Sequence, residues 1–194
     1  MIKIINGDAS RQLSNVLGDQ KFQCVLTDPP YGLGDGGFMN ETWDKGSPVF
    51  FVEFWKSLSE VLHPGALVFC FTSSYRYHKC ATAAESAGYQ IYPMLGWVYA
   101  TGMGFGKRHA TYPTHIIGQQ ALKPALEPIM VAQRCTEGLT KSQCLDKFGT
   151  GGFHVDNGKE RTGRLPSNII VERGAFNKTT FQQVRRRLAG AFVP

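Results

Sequence analysis

Apolar and polar residues along this chain fall into two alternating patterns. The run from Phe22 to Leu26, with Cys24 and Val25, reads as a buried strand. Phe51, Phe54, Trp55, Leu58, Val61 and Leu62 then recur at helical spacing, and His63-Pro64-Gly65 is expected to stop that helix. Ala66 to Phe71 is unbroken apolar sequence suited to a strand covered on both faces. Ser74 to Ala87 reads as a helix closed by Gly88. Ile2 to Ile5 and Ser10 to Leu17 predict an earlier strand and helix, while Met94–Tyr99, Pro128–Gln133 and Ser167–Glu172 predict later strands. This rhythm predicts an α/β fold, doubly wound around a mostly parallel sheet. Between the strands lie a glycine-rich loop, Gly32 to Gly46, and a long insertion over 100–123. No internal repeat or low-complexity segment interrupts them.

At 194 residues, 42% of them hydrophobic and 12% aromatic, the chain is sized for one folded domain over 1–194. A net charge of +6 favours polyanionic partners without singling one out. The five cysteines are widely spaced with no Cys-x-x-Cys pair, and are expected to be buried thiols in a reducing compartment. No apolar run approaches a membrane span and the N-terminus carries no basic leader, which predicts a soluble, cytoplasmic protein.

The sharpest chemistry is Asp28-Pro29-Pro30-Tyr31, placed where the Phe22 strand ends. In an open α/β sheet ligands bind at strand ends. The prolines fix φ and carry no N–H, leaving carbonyls free to accept. Asp28 adds a carboxylate acceptor and Tyr31 a flat aromatic face. Together they suit an exocyclic amino group on a base, whose nitrogen regains electron density when its protons are accepted. A rigid surface turn uses the same residues, so the tetrapeptide needs its context.

That context resembles the DNA amino-methyltransferases that modify adenine N6 or cytosine N4, in the form carried by phages and prophages. The tetrapeptide is similar to their motif IV, here placed before motif I, and Gly32-Leu33, Gly37-Phe38-Met39 and Trp43-Asp44 continue the likeness. Asn6-Gly7-Asp8-Ala9 resembles motif III, and Trp97-Val98-Tyr99, the stretch from Gly102 to Lys107, Leu122-Lys123-Pro124-Ala125 and Glu127-Pro128-Ile129 follow. Gly149-Thr150-Gly151 and Gly163-Arg164-Leu165-Pro166-Ser167-Asn168 resemble a paired stretch of prophage methylases. The resemblance runs to Val171 and lacks the lobe carrying motifs X, I and II.

What it implies is methyl transfer from S-adenosylmethionine to a flipped-out base in DNA, with Asp in first position leaning to adenine N6. Asp28 and the Pro29 carbonyl would accept from the amino group, Pro30 would hold the turn and Tyr31 would stack. Gly7, Asp8 and Asp28 would meet the cofactor, although Asp8 serves equally as a helix cap. Phe38, Lys107, Arg108 and Lys123 would meet nucleic acid; prolines around Lys123 also fit a purely architectural turn. No metal is expected, since His109 and His115 lack partners at ligand spacing.

Gly149 to Gly152 has the composition of a cofactor loop without a strand before or a helix after it. Weak S-adenosylmethionine binding by this chain alone is therefore expected. The divergent 173–194 segment, with Arg185-Arg186-Arg187, matches nothing in the family. A missing neighbour for the Phe22 strand would leave an apolar edge, to be covered by a homodimer or a complementing subunit. The rival expectation is a non-catalytic, nucleic-acid-binding or subunit protein that keeps the base pocket.

Overall fold

The fold was analysed in a computed structural model, which describes residues 2, 4–10, 13, 17–33, 42–99, 102, 107–117, 124–155 and 165–172. Its strands are β1 (Phe22–Thr27), β2 (Leu62–Phe71), β3 (Gln90–Val98), β4 (Lys107–Arg108), β5 (Ile116–Ile117), β6 (Leu126–Gln133) and β7 (Ile169–Val171). Its fully described helices are α1 (Val52–Glu60), α2 (Tyr77–Ser86) and α3 (Lys141–Phe148), with 3-10 turns at Thr42–Asp44 and Pro48–Phe50; Ala9, Ser10, Leu13 and Leu17 are helical as well. The main sheet has the order β1-β2-β6-β3-β7, and β4 and β5 form a separate pair. β1 runs parallel to β2, β7 parallel to β3, and β6 antiparallel to β2. The α/β expectation holds.

The chain divides into two units, one of 1–95 with 128–168 and one of 96–127 with 169–194. In the first, the long apolar β2 is the axis of the core. Leu62, Ala66, Val68 and Cys70 are fully buried, with Trp55 and Leu58 of α1, Cys80 and Ala84 of α2, and Met130 and Ala132 of β6. Trp55 satisfies its indole by donating to Val49 O at 2.8 Å, and Tyr89 donates to Trp55 O at 3.1 Å while accepting from Ser59 Oγ. Burial pushes the Tyr89 hydroxyl up to about 12, the opposing pull of Ser59 being smaller. In the second unit, β7 pairs Gly96 to Val98 with Ile169 to Val171, and the β4–β5 hairpin faces solvent.

Four expectations are corrected. β1 is a strand but not a buried one: it is an edge of the sheet, and Leu26 is 72% exposed. Ile2, Ile4 and Ile5 are exposed and outside any strand, having no ladder partner among the described residues. The α1 pattern ends at Glu60, and His63-Pro64-Gly65 lie inside β2 rather than in a stop signal. Cys70, Cys80 and Cys144 are buried thiols, whereas Cys24 and Cys135 are exposed because β1 is an edge and Cys135 follows the end of β6.

Gly149 to Gly152 has an architectural role. Thr140 accepts from the Gln143 N–H while Gln143 Oε1 accepts from the Thr140 N–H, a capping box that starts α3. Gly149 ends the helix in the left-handed conformation. Thr150 Oγ1 then donates to Pro64 O at 2.5 Å and Gly151 N to Gly65 O at 2.9 Å, docking the segment onto the N-terminal end of β2. A Cβ on Gly151, whose φ is +99°, would lie 2.5 Å from Lys141 O. Gly151→Ala is expected to cost about 2 kcal/mol or more. Gly152→Ala, where an added Cβ meets nothing within 4 Å, should stay near wild type. Denaturant unfolding of both variants checks this, and equal stabilities would remove the joint assigned to Gly151.

Candidate functional site

The site is built on the β1–β2 register. Val25, Leu26 and Thr27 pair with Val68, Phe69 and Cys70, so both strands end on the same side of the sheet. Asp28 follows β1 directly and is exposed; Pro29, Pro30 and Tyr31 are half-buried. The acceptor and stacking groups of the tetrapeptide thus follow the C-terminal end of a parallel strand, where an α/β sheet offers a crevice. The Asp28 charge reaches Cys70: the Cys70 thiol is held well above its ordinary range by the neighbouring Cys80 thiol, by burial and, last, by Asp28. The two sulfurs are 3.8 Å apart and both residues are fully buried. Neither thiol is poised as a nucleophile.

Gly32, next in the chain, is held from both sides. Its N–H donates to Asp44 Oδ1 at 2.8 Å and its carbonyl accepts from Arg76 Nε at 3.0 Å. Asp44 is 1% exposed. Gly32 has a φ of +61°, and a Cβ there would fall 2.6 Å from Phe50 Cε2, so glycine is required both for the conformation and for the space. Asp44 comes from the turn before α1, and Arg76 from the residue that precedes α2. Arg76 was not singled out in the sequence, and Asp44 entered only as part of a motif. One signal for Asp44 was available: an acid beside an aromatic, inside the glycine-rich loop that follows the tetrapeptide.

The other expected residues belong to other segments of the chain. Gly7 and Asp8 are exposed, and Asp8 Oδ1 accepts from Ser10 N at 2.9 Å and Ser10 Oγ at 2.6 Å, a turn that the local-cap reading also provides. Lys107 and Arg108 are exposed on β4 in the second unit, where Arg108 Nη1 donates to Pro113 O at 2.8 Å. His109 Nδ1 accepts from the Thr111 and Tyr112 N–H groups, and His115 Nδ1 bonds Thr114 Oγ1. Phe38 and Lys123 lie outside the described residues, as does the Arg185 to Arg187 cluster. Among the described residues no group of three His, Cys, Asp or Glu has metal-binding geometry, and no helix is long and apolar enough to cross a membrane.

Gly149 to Gly152 does not fit S-adenosylmethionine. Gly149 is spent on a helix cap, and Thr150 and Gly151 on docking against Pro64 and Gly65, at the end of β2 opposite to the one beside Asp28.

Comparison with known proteins gives little. No family model matches the chain, and no curated protein matches it. Among solved structures it is similar to M1.HpyAVI in complex with SAM, at 17% identity and a TM-score of 0.45. It is also similar to M1.HpyAVI, at 17% identity and a TM-score of 0.46. Each match covers 70% of this chain, which spans 56% of the length of that one.

Alkylation of the native protein at neutral pH should label Cys24 and Cys135 and spare Cys70, Cys80 and Cys144. Peptide mass spectrometry reads the outcome. Labelling of Cys70 would contradict the burial of the Cys70–Cys80 pair; protection of Cys24 would show that the β1 edge is covered in solution.

Proposed function

We propose that this chain is the base-binding part of a DNA amino-methyltransferase acting on adenine N6. The observation that carries this reading is the placement of Asp28-Pro29-Pro30-Tyr31 at the C-terminal end of β1, beside the end of β2, on a turn whose next residue is held by two side chains. A target adenine flipped out of the duplex places N6 against the Asp28 carboxylate and the Pro29 carbonyl, with its ring on Tyr31. Both groups accept from the amino protons. Acceptance concentrates the lone pair on nitrogen, and the preference for that charge distribution is greatest in the transition state. Direct displacement needs no covalent enzyme intermediate, in keeping with the protonated Cys70 thiol.

S-adenosylmethionine supplies the methyl group in this reading. Of the described residues, Gly7, Asp8 and Asp28 are those assigned to its edge. The resemblance assigns Phe38, Lys107, Arg108 and Lys123 to the nucleic acid, and the exposure of Lys107 and Arg108 agrees with that role.

A second reading is favoured by the role of Gly149 to Gly152: a nucleic-acid-binding protein that relies on a complementing subunit, or a second copy, for cofactor binding. The β1 edge supports it. Among the described residues β1 pairs only with β2, and Phe22 and Leu26 remain exposed along it, an arrangement that invites another strand.

Methyl transfer from labelled S-adenosylmethionine to unmethylated DNA, by the chain alone or with a complementing subunit, tests the proposal. Asp28→Ala should lower turnover at least about a hundredfold without unfolding the protein, whereas Tyr31→Phe should be tolerated. Near wild-type turnover in Asp28→Ala would end the assignment. Calorimetric titration of S-adenosylmethionine into the isolated chain separates the two readings: weak or absent binding is expected. Tight binding that is lost on enlarging Gly149 would restore that loop as the cofactor cradle.

A further inference from the structure

We propose that Asp44 and Arg76 are positioning residues that fix the angle at which Tyr31 and the preceding carbonyls meet a base. The proposal rests on the base-pocket reading above. The two side chains arrive from sequence positions 12 and 44 residues away and converge on a single residue, Gly32. Because the peptide is trans, anchoring the Gly32 N–H on Asp44 sets the plane that also carries the Tyr31 carbonyl. Anchoring the Gly32 carbonyl on Arg76 sets the next plane, shared with Leu33. On the other side of Tyr31, the two proline rings restrict φ at 29 and 30. Tyr31 is therefore bracketed, by ring closure before it and by two side-chain hydrogen bonds after it. The Phe50 ring closes the remaining direction, since it occupies the space that a Cβ on Gly32 would need.

Stability alone does not account for this construction. Burying a carboxylate is expensive, and apolar packing usually serves a turn better. Asp44 is nonetheless 1% exposed, and its Oδ2 has no hydrogen-bond partner among the described residues. The same holds for Ser47 Oγ, Thr72 Oγ1 and Ser73 Oγ, which lie on the two stretches that deliver Asp44 and Arg76, and, away from the turn, for Arg134 Nη1 after β6. Polar groups kept under cover at such cost concentrate where geometry matters for function. Arg76 is additionally steadied by the Tyr75 ring, 4.5 Å from the guanidinium carbon.

The test uses single-stranded oligonucleotides that differ only in carrying adenine or N6,N6-dimethyladenine, which has no amino protons to donate. Phosphate contacts are common to both, so their affinity ratio reports the change at N6, lost donors and added methyl bulk together, and the variants show how much of it depends on the turn. The wild-type chain should prefer adenine by about tenfold or more, since both amino-proton contacts are lost on dimethylation. Asp44→Ala and Arg76→Met should reduce that ratio to about twofold or less, with affinity for the dimethylated oligonucleotide nearly unchanged. Asp44→Asn, which keeps an acceptor for the Gly32 N–H, should retain the preference. Hydrogen exchange at the Gly32 amide should quicken in Asp44→Ala only. Should Asp44→Ala fail to fold, Arg76→Met carries the test, because Arg76 is only half-buried and its backbone hydrogen bonds persist. Full discrimination in Arg76→Met, or in Asp44→Ala despite faster Gly32 exchange, would overturn the proposal and leave the base pocket standing. A wild-type chain that binds both oligonucleotides equally would overturn the base pocket itself, and this proposal with it.

Discussion

The parallel pairing of β1 with β2 is the constraint on which the rest depends. It carries Thr27 alongside Cys70, and by doing so delivers Asp28 and the loop after Phe71 to the same end of the sheet. β2 can play this part because it is apolar from Ala66 to Phe71 and is packed by Trp55 and Leu58 on α1, Cys80 and Ala84 on α2 and Met130 on β6. Everything beyond Thr27 is then a matter of holding a short turn in place. Proline rings do this covalently, and Asp44 and Arg76 do it by hydrogen bonds that hold two successive peptide planes. Hydrophobic burial decides where the turn is; polar contacts decide which way it faces.

The opposite end of β2 shows the same backbone chemistry put to a different use. There the segment after α3 is latched by Thr150 and Gly151 to the carbonyls of Pro64 and Gly65, and Gln133 Nε2 donates to Gly65 O at 3.1 Å. Gly151 in this latch lies against the Lys141 carbonyl and donates to Gly65 O. A glycine-rich string is informative only when the groups that face it are known.

Much of this was legible beforehand because period and breaker residues report local structure directly. The α1 stripe, the apolar β2, the Gly88 stop with its φ of +90°, and the strand end that carries Asp28 follow from spacing alone. Burial of β1 was misjudged for a physical reason: an apolar run shows that a strand can be covered, whereas coverage depends on which strand lies beside it. Ile2, Ile4 and Ile5 mislead in the same way. Helix α3 was missed although Thr140 and Gln143 spell a capping box, since its low apolar content hid the helical period. Arg76 was beyond reach of local pattern. Its partner is the backbone of a residue 44 positions earlier, and only the tertiary fold brings them together.

The central claim is that a base docks on the turn at the end of β1. Photo-crosslinking with an oligonucleotide that carries a single 8-azidoadenine, followed by peptide mapping, tests it most directly. The adduct should fall on the tryptic peptide that contains Tyr31, and competition by unmodified adenine oligonucleotide should suppress it. Adducts confined to other peptides, with the Tyr31 peptide untouched, would contradict the account.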